Sequence, residues 1–186
     1  MKKIPTLFER DWGGDRSRVV NQVNPGCEWV LAGDGIATRK LDGSCCMIRS
    51  GVLYKRRELK PGSQLPPDFE EADFDDETGK RVGWIPVGDG PEDKYHREAF
   101  SLSTDWLDGT YELTGPKVQG GAERAPAHIL VPHGRELAGP IDGVPRDFDG
   151  LAAFFTGKDI EGIVFHHPDG RRAKIKLRDF GLKRGQ

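Results

Sequence analysis

The sequence is poor in cysteine: Cys27, Cys45 and Cys46 are the only three in 186 residues. The count is odd and no C-x-x-C pair occurs. Nothing in the spacing points to a disulfide framework, and reduced thiols are expected. No stretch approaches the roughly 20 apolar residues of a membrane span. The opening Met1-Lys2-Lys3-Ile4-Pro5 is basic, but the apolar stretch after it breaks at Glu9-Arg10-Asp11, too short for a signal peptide. A soluble, cytoplasmic protein without a membrane partner is expected. There is no G-x-x-x-x-G-K-[ST] phosphate loop, no G-x-G-x-x-G fingerprint and no G-x-S-x-G elbow, so three common nucleotide and hydrolase chemistries lose their motifs. Net charge is also lacking, at −2. Overall charge does not advertise a nucleic-acid binder, and only a local patch could serve as one. Internal repeats and low-complexity tracts are absent.

What is present is a polar but globular composition, 35% hydrophobic and 31% charged. A chain of this length buries roughly 70% of the surface its unfolded form exposes, enough for a core without staples. Glycine (25) and proline (13) are scattered, which suits many short strands joined by turns. Residues 28–40 read as strand, Gly-Asp-Gly turn, strand. Residues 44–57 read as a hairpin turning at Ser50-Gly51. The acidic run Asp68, Glu70, Glu71, Asp73, Asp75, Asp76 and Glu77 falls in 60–95, which reads as an irregular, solvated excursion. Residues 109–115 and 128–132 read as strands. Residues 147–157 read as a helix capped by Asp147 or Asp149 and ended by Gly157. A second hairpin runs from Glu161 to Leu177 through Pro168-Asp169-Gly170. With a two- or four-residue loop, it would place Phe165 opposite Lys174 and Ile163 opposite Lys176, with Glu161 on their face.

The chemistry begins at Lys40-Leu41-Asp42-Gly43, a K-x-D-G directly after a predicted strand. Alone it reads more readily as an exposed lysine before an Asp-Gly turn than as a nucleophile. Four groups of residues farther along the chain add weight. Lys55-Arg56-Arg57 closes the first hairpin. Glu112 stands in an otherwise apolar strand, and Glu161 opens another. Lys174 and Lys176 share one face of a strand, because side chains alternate with period two. Together these supply a nucleophilic amine, carboxylates suited to a hard cation, and cations for phosphate. A free lysine, with a pKa of about 10.4, is almost wholly protonated at neutral pH; desolvation and neighbouring cations are the usual remedies. Arg56, Arg57, Lys174 and Lys176 are the candidates for that task.

The ordered set Lys40-Leu41-Asp42-Gly43, Arg56/Arg57, Tyr111-Glu112-Leu113-Thr114-Gly115, Glu161-Gly162-Ile163-Val164-Phe165 and Lys174-Ile175-Lys176 resembles motifs I, Ia, III, IV and V of the covalent nucleotidyltransferase superfamily of ligases and mRNA-capping enzymes. The Lys-Leu-Asp-Gly-Ser-Cys-Cys and Tyr-Glu-Leu-Thr-Gly-Pro-Lys-Val-Gln-Gly runs look most like a small ATP-dependent RNA-ligase family that joins 5′-phosphate to 3′-hydroxyl RNA ends. The resemblance spans residues 38–177. It implies an α+β nucleotidyltransferase domain over residues 1–186, built of two antiparallel sheets with flanking helices and the nucleotide between them, with no further oligonucleotide-binding domain. It implies Lys40 as the nucleophile that takes AMP from ATP. Asp42, Gly43, Arg56, Arg57, Glu112, Lys174 and Lys176 would line the nucleotide, and Glu112 and Glu161 would hold Mg²⁺ or Mn²⁺. The partner would be RNA. The sequence departs from many ligases at Thr38 and Arg39, where those ligases carry a glutamate for the adenine pocket. The aromatic residue that would stack on the base is not obvious, although His128, Ile129 and His133 lie in the right region. A GTP-using capping-type guanylyltransferase or a DNA ligase is the alternative enzyme, and a non-catalytic nucleotide- or nucleic-acid-binding module is the alternative of another class.

Overall fold

A computed structural model describes residues 3–76, 78–133 and 140–185; Glu77 of the acidic run lies outside them. The chain divides into two compact units, one of residues 1–3 and 42–133, the other of residues 4–41 and 134–186.

The first unit is built on a six-stranded antiparallel sheet. Its strands are β4 (Ser44–Arg49), β5 (Val52–Leu59), β6 (Glu70–Asp75), β7 (Lys80–Pro86), β8 (Gly109–Thr114) and β9 (Ile129–Pro132), in the order β6-β7-β5-β4-β8-β9. The β4–β5 hairpin closes through Ser50 and Gly51, with φ of 50° and 74°. Two consecutive left-handed residues give the tight turn whose twist matches the strands. One face of this sheet carries Cys46, Ile48, Leu53, Tyr111, Leu113 and Leu130, joined by Ala99 of helix α2 (Lys94–Phe100) to make the unit's core. Lys55 shares that face and is held by two bonds, 2.5 and 2.7 Å, to the buried Asp93.

The second unit holds a three-stranded antiparallel sheet of β3 (Ile36–Lys40), β10 (Gly162–His166) and β11 (Arg172–Lys176), in the order β11-β10-β3. It also contains the pair β1 (Phe8–Arg10) and β2 (Val19–Val23). Ala37, Ile163, Phe165, Ala173 and Ile175 turn one face of the three-stranded sheet into the core. There they meet Leu151 and Phe155 of helix α3 (Phe148–Phe155) and Trp29 and Val30 of helix α1 (Glu28–Leu31). Asp147 caps α3 by accepting from the Gly150 N–H at 2.8 Å. Both edges of this sheet are covered. The N-terminal segment bridges β11 at Thr6 and Lys174, and Pro140 bridges β3 at Thr38.

Three expectations are corrected. The fold is not two sheets with flanking helices: the described residues form three antiparallel sheets, with 35% strand and 16% helix, so the α+β nucleotidyltransferase architecture does not hold. The α-helices among the described residues have four, seven and eight residues, and most of the apolar patterning is spent on strands. Residues 28–31 are helical rather than a strand, because the adjacent Trp29 and Val30 are both buried, which a strand with one solvated face does not allow. The acidic excursion contains two strands. Cations meet these acids: Arg49 bonds Glu70, Arg81 bonds Glu71 across the ladder, and Lys3 bonds Asp75. Val82 and Trp84 of β7 are buried. Cross-strand ion pairs offset the low strand propensity of acidic residues.

Gly162, the first residue of the central strand β10, is a position where no side chain fits. A Cβ there would stand 2.3 Å from the Ile175 carbonyl oxygen and 2.9 Å from Lys176 Cα. Gly162→Ala is expected to destabilise the protein by about 1–3 kcal/mol through overpacking. Urea unfolding would show this as a lower midpoint at unchanged slope; an unchanged midpoint would remove the packing argument.

Candidate active site

Register places the nucleophile candidate. In β10, Gly162 pairs with Lys40 on one side and Lys176 on the other. Directly opposed residues point to the same face, so both lysines project from the face away from the core, with a side-chain-free glycine between them. The next row on that face is Thr38, Val164 and Lys174, and the one after it Ile36, His166 and Arg172. The sheet order, which sequence alone does not give, thus gathers Lys40, Lys174 and Lys176 on one surface.

Glu161 joins them by an unexpected route. The β10–β11 residue numbers sum to 338, as in Ile163 opposite Ile175 and Val164 opposite Lys174, and not to the 339 of a two- or four-residue loop. The loop spans residues 167–171, closed by His167 N–H donating to Arg171 O at 2.9 Å. Strict alternation would send Glu161 to the core face, but Glu161 precedes the strand and its carboxylate swings back. Oε2 accepts from Lys40 Nζ at 2.5 Å and Oε1 accepts from Lys176 Nζ. The expected register is wrong, yet the pairing it was meant to explain is present. Burial pushes the Glu161 carboxyl up, but the ammonium groups of Lys40 and Lys176 outweigh it, and the carboxyl lies below its ordinary value.

Thr38, two residues before the nucleophile candidate, meets His166 Nε2 at 2.9 Å and donates to Val164 O at 3.3 Å. Sequence reasoning missed this pair, whose members are 128 residues apart.

The other candidates lie in the first unit. Glu112 is buried, faces Cys45 directly across β8–β4, and is bonded to His133 Nε2 at 2.9 Å. Gly43 is needed here for close approach: a Cβ would stand 2.3 Å from Leu113 O and 3.0 Å from Glu112 Oε1. Asp42 N–H donates to Glu123 Oε1 at 3.0 Å. The β4–β5 register, extended one step from the Cys46–Lys55 pair, puts Arg56 on the Cys45–Glu112 face and Arg57 on the opposite one. Arg56 is half-buried and its Nε lacks a partner, whereas Arg57 is exposed. Of the two arginines only Arg56 shares a face with Glu112. His128 is already committed, stacked on Tyr95 with centroids 4.3 Å apart and accepting from Lys117 N–H. It is a packing residue rather than a base platform.

Mg²⁺ fits neither carboxylate well. It takes oxygen ligands in near-ideal octahedral geometry. Both Glu161 oxygens are engaged by ammonium groups. Glu112 keeps the company of a thiol and an imidazole.

Glu161→Gln is expected to cost about 1–3 kcal/mol near neutral pH, because it leaves two ammonium groups without their carboxylate. A carboxyl depressed on folding stabilises above its unfolded pKa, near the ordinary value of 4.5, and that contribution fades as pH falls through the folded value. The stability gap between wild type and variant should therefore narrow in acid. Urea titrations from neutral pH to pH ~3 measure it; a gap constant with pH would refute the ion triad.

No family model matches the chain. Among curated proteins it is similar to RNA ligase 1 of Danio rerio, at 26% identity over 98% of this chain and 81% of that protein. It is also similar to RNA ligase 1 of Pongo abelii and of Mus musculus, at 29% and 28% identity over 58% of this chain. Those two matches span 42% of the mammalian proteins' own length. Among the described residues no helix is long and apolar enough to cross a membrane. These likenesses support an RNA-ligase family for the chain.

Proposed function

We propose that the chain is an ATP-dependent RNA ligase that works through a lysyl-AMP intermediate on Lys40. The observation that carries this reading is the ion triad. One amine on the sheet face away from the core is held by a carboxylate that also holds a second cation, in a chain similar to proteins named RNA ligase 1.

In the first step Lys40 Nζ attacks the α-phosphorus of ATP. An N–P bond forms, the bond to the bridging oxygen breaks, and pyrophosphate leaves; Mg²⁺ arrives with the triphosphate as part of the substrate. The attacking amine must first lose a proton, and Glu161 Oε2 is the acceptor within reach. While two ammonium groups hold this carboxylate it is a weak base. Incoming phosphate oxygens draw Lys176 away, with Lys174 two residues along the same face, and one of the two charges that depress the carboxyl departs. Substrate entry thereby strengthens the base that frees the nucleophile. In the second step an RNA 5′-phosphate oxygen attacks the AMP phosphorus and Lys40 leaves. In the third, an RNA 3′-hydroxyl attacks the 5′-phosphorus and AMP is expelled. Arg178 and Lys183, both exposed beyond β11, are candidates to hold the RNA backbone. With so few cations, binding should fade quickly with salt.

Two assays test this. Incubation with α-labelled ATP and denaturing electrophoresis should give an acid-labile adduct that mass spectrometry places on Lys40. Lys40→Arg should abolish it, because guanidinium stays protonated. A nick with RNA on the 3′-hydroxyl side should be sealed about ten- to hundred-fold faster than its all-DNA counterpart, the value of one 2′-hydroxyl contact. AMP on another lysine would remove Lys40 from its role. An adduct without sealing of any RNA would remove the ligase reading.

A further inference from the structure

The face of the six-stranded sheet away from its core carries a group of donors unlike the oxygen set that Mg²⁺ prefers. Cys45, Glu112 and Val131 lie in one row across β4, β8 and β9, and His133 stands two residues beyond Val131 on the same side. One donor atom from each of Cys45, Glu112 and His133 falls within 4.8 Å of the others. The Glu112 and His133 side chains are 12% and 26% exposed, so solvent reaches the group from one side. His133 Nδ1 is buried without a hydrogen-bond partner. The three residues come from two strands and the segment following a third. Their backbones are fixed by the β4–β8 ladder and by His133 N–H donating to Thr110 O at 2.9 Å.

We propose that Cys45, Glu112 and His133 form a three-ligand site for Zn²⁺, with its remaining position open to water. Sulfur, nitrogen and carboxylate oxygen at about 2.0–2.3 Å are the ligands Zn²⁺ takes, and three protein ligands plus one open position is a recurrent arrangement. Thiolate and imidazole together select a borderline ion over a hard one. The imidazole is already turned onto the carboxylate through Nε2, at 2.9 Å, so a small rotation brings both donors and the thiol toward a common centre. Binding replaces the thiol proton by the metal and releases that proton to solvent. The site shares Glu112 with the residues that the resemblance places around the nucleotide but uses neither Lys40 nor Glu161, so metal binding and adenylylation of Lys40 fail or succeed separately.

The test uses the full chain stripped of metal and titrated with Co²⁺, which reports tetrahedral geometry by its visible bands and a thiolate ligand by a near-ultraviolet charge-transfer band. One equivalent should develop both. Zn²⁺ should displace Co²⁺ stoichiometrically, and Mg²⁺ in large excess should not. Cys45→Ser should abolish the charge-transfer band, and His133→Ala should weaken Co²⁺ binding about ten-fold or more. Cys27→Ser, in the other unit, should change neither. Zn²⁺ should raise the melting temperature of the wild type in a concentration-dependent way, and of the Cys45→Ser variant much less. Far-ultraviolet circular dichroism of the metal-free variants establishes that they fold. Absence of cobalt bands, a charge-transfer band that survives Cys45→Ser, or displacement of Co²⁺ by Mg²⁺ would each overturn the proposal.

Discussion

One carboxylate shared by two ammonium groups governs the second unit. Glu161 sits where β10 begins and reaches Lys40 on β3 and Lys176 on β11, so a single side chain ties the ends of all three strands. Removing any member leaves a charge imbalance in a partly shielded place. Gly162 makes the arrangement sterically open. A side chain at the row's centre would push β11 away, and with it Lys176. The functional constraint and the packing constraint therefore fall on neighbouring residues, and the sequence carries them side by side as Glu161-Gly162.

A second dependence runs through the first unit, where Gly43 lets the backbone pass tightly against β8. Glu112 Oε1 lies only 3.0 Å from where a side chain at position 43 would begin. The glycine of K-x-D-G thus has a role in seating a carboxylate as well as in any turn beside a nucleotide. The same sheet separates Arg56 from Arg57 by alternation alone, turning one toward the Glu112 face and the other to solvent. Charge on the two residues is identical; the pleat decides what each can meet.

How much of this is legible in the sequence depends on range. The Ser50-Gly51 hairpin, the β8 and β9 strands and the capped helix at residues 148–155 are legible, because turn chemistry, alternation and an N-cap act over a few residues. The strands at residues 70–75 and 80–86 are not. Their acids look solvated until Arg49 and Arg81 are placed across from them, and Arg49 is 21 residues from Glu70. The overall class is misread for another reason: the flanking helices come from the resemblance, whereas the residue pattern itself reads mostly as strands, with one helix at residues 147–157. In the candidate site, the lysines and carboxylates are visible as separate residues. The Thr38–His166 pair and the companions of Glu112 are invisible, since each arises from strand pairing across long stretches of chain. The last hairpin shows the limit most sharply. One residue more or less in its loop reverses the faces, and nothing in Pro168-Asp169-Gly170 announces a five-residue loop.

The three-stranded sheet is narrow and has neither edge free among the described residues: Thr6 and Leu7 lie along β11, and Pro140 and Ile141 along β3. An open edge is a template on which another chain can add a strand, and a short sheet with exposed edges invites such growth. Here both sides are closed by segments of the same molecule, so a second copy has no ladder to extend. The sheet is accessible only through its face, where a partner meets side chains rather than backbone. Strand addition is thereby closed off at both sides of this sheet.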